Sequence, residues 1–134
     1  HIGLMPQSIL KFGGYRPRGT SEAEAEELVD DAMALQEAGA FSVVLECVPA
    51  ELAQRITNTL TIPTIGIGAG PHCDGQVLVF HDLLGIESEL APRFVKRYAE
   101  LNEVMIGAIA KFREEVRNGI FPDLEHSYSG KKKT

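Results

Sequence analysis

Long apolar runs, tryptophan and a disulfide pattern are all missing from this sequence. No apolar stretch approaches the roughly 20 residues that a helix needs to cross a bilayer. Residues 1–6 lack the basic segment and the apolar core of a signal peptide. The two cysteines, Cys47 and Cys73, form no disulfide framework. We therefore expect reduced thiols in a cytoplasmic protein that has no membrane partner.

Basic charge is also scarce. The chain has 13 Lys and Arg against 19 Asp and Glu, a formal net charge of −6. An acidic surface repels a polyanion unless basic residues are segregated into a patch, so we expect no nucleic-acid partner. The one basic run, residues 131–133, stands at the end of the sequence. Residues 129–134 are therefore predicted to be a flexible Lys-rich tail.

What the sequence contains is an alternation of strand and helix patterns, with 44% hydrophobic residues to build a core. Residues 1–20 are rich in Gly and Pro and predict a long loop, although His1 can end a strand. Three buried strands and three amphipathic helices follow, at about 41–46, 61–68 and 76–80 for the strands and at 21–38, 49–60 and 92–118 for the helices. Thr20 or Ser21 can cap the first helix, with Glu24 completing a capping box, and Gly39 ends it. Such alternation favours parallel strands joined by right-handed crossovers. Three or four strands are too few for a closed eight-stranded barrel and marginal for an open doubly wound sheet.

Glu46 is the strongest catalytic candidate. It follows four apolar residues at the carboxyl end of a predicted strand, the edge at which parallel α/β folds bind ligands. A carboxylate among Val, Leu and Cys loses hydration, which raises its pKa and suits a general base. The alternative is a structural Glu that pairs with an Arg or Lys or caps the next helix.

Other polar and glycine-rich motifs are weaker. Residues 66–70 lack the dinucleotide fingerprint and the P-loop Lys, which leaves either close ligand approach or a tight turn. The adjacent residues 72–74 cannot converge on one zinc ion. His81 can lie at the sheet edge, or Asp82 can cap a helix. His1 lies at the same edge if it ends a strand, and Gly3 beside it allows close approach of a ligand.

Six motifs occur in the order and at the spacing of ketopantoate hydroxymethyltransferases, which the chain resembles over nearly its whole length. They are His-Ile-Gly-Leu-Met-Pro-Gln-Ser from residue 1, Phe-Gly-Gly-Tyr at 12–15, Leu-Glu-Cys-Val-Pro at 45–49, Ile-Gly-Ile-Gly-Ala-Gly at 65–70, Cys-Asp-Gly-Gln-Val-Leu-Val at 73–79 with His81-Asp82, and Phe121-Pro with Glu125-His-Ser127. Any one of these is weak, whereas six in register are strong.

The resemblance implies a fold, an activity and site residues. Residues 1–128 would be the carboxyl-terminal part of a (β/α)₈ TIM-type barrel, from the end of its fifth strand through its eighth, incomplete alone. The reaction would move a hydroxymethyl group from 5,10-methylenetetrahydrofolate to 3-methyl-2-oxobutanoate, with magnesium as electron sink. Glu46 matches the family's base and His1 a substrate-binding histidine. The loop through residues 12–15 would cover the barrel mouth, and residues 66–70 would lie along its rim.

The resemblance also implies a missing partner. The family's magnesium ligands and its substrate-holding lysine belong to an amino-terminal half that this sequence lacks, so we expect no metal ligand here and no turnover by this chain alone. Met5 stands where the family usually has Thr. Homo-oligomers are expected, with possible exchange of the last helix, residues 92–118. An inactive fragment or assembly module, or a different aldol-type enzyme on the same scaffold, remains open.

Overall fold

The computed structural model describes residues 1–5, 16–86 and 92–130. The predicted loop at 12–15 and the Lys run at 131–133 lie outside these residues. Eight elements are present in the described chain: β1 (Ile2–Gly3), α1 (Glu22–Glu37), β2 (Val43–Glu46), α2 (Ala50–Thr59), β3 (Thr64–Ile67), β4 (Gly75–Gln76), α3 (Phe80–Leu83) and α4 (Leu101–Arg117).

The four strands form one parallel sheet in the order β1-β2-β3-β4. This confirms the predicted α/β class with parallel strands, while the assignment to strands five to eight of a barrel remains a prediction. His1 does not end a strand as expected: it precedes β1, and Ile2 and Gly3 make the pairs with β2. The register joins Ile2 to Leu45, Gly3 to Glu46, Leu45 to Gly66 and Glu46 to Ile67.

The two faces of the sheet differ in burial. Along β2, Val43 and Leu45 are buried, whereas Val44 and Glu46 are only half-buried. The same alternation recurs in β3. Val43 and Leu45 belong to one apolar cluster with residues of α1 and α2: Ala25, Leu28, Val29, Ala32, Leu52, Ala53 and Ile56. One face therefore carries the core, and we call the other, with Val44, Glu46, Ile65 and Ile67, the open face.

Helix α1 begins as the sequence predicts. Ser21 is its N-cap, and the Ser21 hydroxyl accepts a hydrogen bond from the Glu24 amide at 3.3 Å. The capping box is only half formed, because the Glu24 carboxylate pairs with the Arg18 guanidinium and accepts from the Gly19 amide at 2.8 Å. Gly39, at φ 91°, follows the end of the helix as expected. Helix α2 places its predicted apolar side in the core.

Two predicted elements are shorter than expected. The strand at 76–80 reduces to β4, although the Val77 amide still donates to the Gly66 carbonyl at 3.0 Å, and Phe80 begins α3 instead. The last helix begins at Leu101, not at residue 92. The physical reason is that the Tyr98 and Leu101 amides donate to the Leu83 and Leu84 carbonyls, at 2.9 and 3.0 Å. This backbone therefore pairs with the last residue of α3 and the residue after it before it turns helical.

The chain divides into two compact units. The first holds residues 1–79 with 92–95, and the second holds residues 80–91 with 96–134, where they are described. The second unit contains α4, which has no buried residue. Its apolar side chains are exposed: Val104, Met105, Ile106, Ile109, Phe112 and Val116. Within the described ranges, no helix has both the length and the apolar character to cross a membrane.

Candidate active site

Glu46 lies at the carboxyl end of β2 and on the open face of the sheet. Its side chain is 17% exposed, and its Oε2 is 3.1 Å from Nε2 of His1, whose side chain is 36% exposed. The structure therefore brings together the two residues that the sequence singled out. This contact forms although His1 precedes its strand.

The surroundings of Glu46 favour its neutral form. Burial raises the pKa of the Glu46 carboxyl above its usual value of 4.5. The pKa of the adjacent Cys47 thiol is also raised, first by burial and then by the Glu46 charge. A carboxylate whose pKa is raised by desolvation accepts a proton more readily than one in water. The group can therefore serve as a general base near neutral pH.

The main chain of Glu46 is held closely by β1. The Leu4 amide donates to the Glu46 carbonyl at 2.8 Å. Gly3, at φ 92°, lies so close that a Cβ there would be 2.2 Å from that carbonyl oxygen and 2.9 Å from Cγ1 of Val48. The sequence predicted a close approach at Gly3 but assigned it to a ligand. The structure assigns it to the neighbouring backbone.

Cys47 was missed as a structural feature of the site. Its φ is 50°, and among the described residues it is the one non-glycine with a positive φ. Its amide donates to the Ile67 carbonyl and its carbonyl accepts from the Arg18 amide, each at 2.9 Å. The sequence carries no signal for this, because Asn, Asp and Gly are the residues that usually mark the left-handed region.

The glycine-rich segment at 66–70 is a tightly packed turn. Gly68 has φ 66°, and a Cβ at that position would be 2.6 Å from the Phe94 ring. Gly70 also has a positive φ, 75°. These features support the turn interpretation of the segment. Contact with a ligand remains a prediction.

The two other histidine motifs each carry an acidic residue, Asp74 in one and Asp82 in the other. The Asp74 carboxylate accepts from the amide of buried Thr64 at 2.8 Å, and this bond together with one from the Thr64 hydroxyl lowers the pKa of Asp74. Asp82 does not cap a helix as expected: α3 begins two residues before it, so His81 and Asp82 both lie inside the helix.

A surface hollow of about 440 Å³ lies between the starts of α1 and α2, lined in part by Gly19, Glu22 and Arg55. Arg55 is already paired with Glu26 at 2.7 Å and with Glu22 at 3.6 Å. Its charge is therefore engaged with acidic side chains of α1. Glu46 does not line this hollow, and the candidate chemistry remains at the sheet edge.

The described ranges contain no candidate metal site. They hold no group of three or more His, Cys, Asp or Glu side chains that could bind a metal ion. The described residues of this chain therefore do not fit the magnesium ion that the resemblance implies.

Comparison with known proteins places the chain in a family. Residues 1–124 match the family model described as ketopantoate hydroxymethyltransferase. The 3-methyl-2-oxobutanoate hydroxymethyltransferase of Moorella thermoacetica is 61% identical over 128 residues, which cover 96% of this chain and 48% of that protein. The enzyme of the same name from Syntrophus aciditrophicus is 58% identical over 96% of this chain and 47% of its own length. That from Staphylothermus marinus is 52% identical over 99% of this chain and 49% of its own length.

The chain spans about half the length of the curated relatives it matches. The match nevertheless extends over nearly all of this sequence, from His1 to residue 124, past the end of α4. The chain belongs to the ketopantoate hydroxymethyltransferase family.

Proposed function

We propose that this chain supplies the general base of hydroxymethyl transfer to 3-methyl-2-oxobutanoate, and that Glu46 is that base. The observation that carries the proposal is a largely buried carboxylate at the carboxyl end of a parallel strand, with a raised pKa and a histidine 3.1 Å away. The names of the relatives specify the reaction: three of them are 3-methyl-2-oxobutanoate hydroxymethyltransferases.

The step assigned to Glu46 is a proton transfer. The carboxylate takes the proton from C3 of the keto acid, and the C3–H electron pair becomes the carbon–carbon double bond of an enolate while the carbonyl pair moves to oxygen. The enolate carbon then bonds to the one-carbon unit of 5,10-methylenetetrahydrofolate. One of the two carbon–nitrogen bonds of the methylene bridge breaks in this step with its electron pair on nitrogen. Water then displaces the second nitrogen in the same way and supplies the hydroxyl of the product, 2-dehydropantoate. The C3 proton and one proton of that water end on the two nitrogens of tetrahydrofolate.

His1 is proposed to bind the keto acid at the same edge. Its ring contacts the base and remains partly exposed, so a substrate that meets Glu46 also meets Nε2 of His1. An imidazole there can donate a hydrogen bond to a substrate oxygen.

Magnesium, when bound by a family member, polarises the keto acid. The described residues of this chain do not offer its ligands. The ligands are therefore proposed to belong to the amino-terminal half of the enzyme, which is the partner that this chain needs.

The open face of the sheet supports the need for that partner. Val44, Ile65 and Ile67 flank Glu46 on this face and are only half-buried, although apolar residues on a parallel strand are ordinarily buried on both sides. We propose that the amino-terminal half completes the barrel against this face, in the cytoplasm. This chain alone would then leave the face open and would not turn over substrate.

Exposed apolar residues on α4 support a further partner. Six large hydrophobic side chains of this helix, from Val104 to Val116, are 44–65% exposed. Exposure of such an apolar surface to water is unfavourable. The surface fits a homo-oligomer in which the last helix packs on a neighbouring copy. The same observation favours the alternative function, an assembly module that carries no activity of its own.

The test is deuterium exchange at C3 of 3-methyl-2-oxobutanoate, because exchange needs the base and does not need the folate. The measurement uses the complete enzyme. It contains this chain and the amino-terminal half that completes the length of its relatives. Glu46→Gln should slow exchange and hydroxymethyl transfer about 10²-fold or more, the usual contribution of a general base. Glu51→Gln, a change at an exposed residue of α2, is the matched control and should leave both rates unchanged. Unchanged exchange in Glu46→Gln would remove Glu46 from this role and favour the assembly module.

A further inference from the structure

Cys47 has a backbone conformation that its residue type does not favour. A cysteine in the left-handed region is uncommon, since its Cβ crowds the neighbouring carbonyl there. Strained residues of this kind persist where the surrounding structure holds them, and they cluster at functional sites. Here the strained residue follows Glu46 directly, at the point where β2 stops.

Three neighbouring segments hold this conformation. On one side, the Leu4 amide after β1 donates to the Glu46 carbonyl at 2.8 Å. On the other side, the Cys47 amide donates to the Ile67 carbonyl of β3 at 2.9 Å. From the third segment, the Arg18 amide donates to the Cys47 carbonyl at 2.9 Å. Both peptide groups that flank Cys47 are therefore fixed, one of them shared with Glu46.

The left-handed turn has a geometric consequence for Glu46. In a continued strand, residue 47 would stay extended and the chain would run on past the sheet edge. Instead the chain turns at Cys47, Val48 enters the core at 4% exposure, and α2 begins at Ala50. Glu46 is thereby the last strand residue, with its side chain kept on the open face beside His1.

We propose that Cys47 is a positioning residue, whose left-handed backbone, held by hydrogen bonds with residues 4, 18 and 67, directs the Glu46 carboxylate toward the keto acid. The proposal rests on the proposed role of Glu46 as base. The part that Cys47 plays belongs to its backbone and not to its thiol. Side chains that tolerate the left-handed region should therefore replace it, and side chains that do not should displace the carboxylate.

The experiment compares two substitutions in the complete enzyme. Cys47→Val introduces a β-branched residue, which disfavours a positive φ, and should lower the C3 exchange rate by about tenfold or more because a misplaced base loses its alignment. Cys47→Asn has a side chain that tolerates this region and should rescue exchange to within about threefold of the unmodified enzyme. A purely structural role would not move the acidic limb of the exchange–pH profile, whereas a carboxylate displaced toward water should move that limb to lower pH in Cys47→Val.

The outcomes separate this proposal from the one on which it rests. If Glu46→Gln abolishes exchange but Cys47→Val keeps both the rate and the acidic limb, the positioning role is wrong and the base survives. If Cys47→Asn loses about tenfold or shifts the limb, the thiol and not the backbone matters, and the positioning role is overturned even should Cys47→Val not fold. If Glu46→Gln leaves exchange intact, the base itself is wrong.

Discussion

The two faces of the sheet are made by the same strands, yet they differ in what they contact. Val43 and Leu45 point into a core closed by α1 and α2, and Leu45 is 0% exposed. Val44 and Glu46 alternate with them on the open face, where Glu46 is 17% exposed and contacts His1. One face is thus packed within this chain, and the open face carries the candidate catalytic residues. The difference teaches that one face of a parallel sheet can be packed within this chain while the other face stays partly exposed.

The largest expected effect on the free energy of unfolding tests the face of the sheet that carries the core. Leu45→Ala should lower the free energy of unfolding by about 2–5 kcal/mol, because it leaves a cavity in a packed core. Val44→Ala, one residue away on the open face, is the matched control and should cost less than about 1 kcal/mol in this chain. Urea unfolding measures both. Equal costs would break the contrast between the faces. A Val44→Ala cost that rises when the remaining half of the enzyme is present would sharpen it.

A smaller effect on the free energy of unfolding is expected at Thr64, a polar residue on the face that carries the core. The Thr64 hydroxyl is fully buried, lies 2.8 Å from the Thr57 hydroxyl and donates to the Asp74 carboxylate at 3.1 Å. Thr64→Val should lower the free energy of unfolding by about 1–2 kcal/mol, because it leaves these partners unsatisfied. Thr59→Val, at an exposed hydroxyl near the end of α2, should change it by less than about 0.5 kcal/mol. Equal losses at the two threonines would contradict a buried hydrogen-bond network.

The smallest expected effect, at Glu46, is an increase in the free energy of unfolding. Because the pKa of Glu46 is raised in the folded state, its neutral form stabilises the fold, and that contribution is lost as pH rises through the folded pKa. Glu46→Gln, which stays neutral, should therefore raise the free energy of unfolding at pH 7 by less than about 0.5 kcal/mol, since solvent screens this edge. The gain should vanish below about pH 3.5, where Glu46 is protonated in both the folded and the unfolded state. A loss of stability at pH 7 would mean that the His1 contact outweighs desolvation.

Sequence patterns predicted the face of the sheet that carries the core better than they predicted the open face. The spacing of apolar residues in α1 and α2 and the cap at Ser21 are local signals, and the structure confirms them. The parallel class also followed from the alternation of elements. The last helix begins later than its apolar pattern suggested, because the Tyr98 amide bonds to the Leu83 carbonyl of α3, a contact between segments that periodicity cannot reveal.

At the candidate site, the sequence singled out Glu46 and His1 but not the contacts that hold them. Glu46 was evident as a carboxylate after an apolar strand, and His1 from the resemblance. The left-handed Cys47 was not predictable, because its φ is imposed by hydrogen bonds from segments distant in sequence, such as that from Arg18. The close approach at Gly3 was predicted, but its partner was not. Local composition indicates what a residue can do, and only tertiary contacts determine which neighbour it meets.

The most direct test of the central claim is the pH dependence of C3 deuterium exchange in the complete enzyme. With Glu46 as base, exchange should fall at low pH along a limb whose midpoint lies above 4.5, the ordinary value from which burial raises the Glu46 pKa. That limb should disappear in Glu46→Gln, together with most of the rate. A Gln variant that retains both the limb and the rate would show that another group removes the proton.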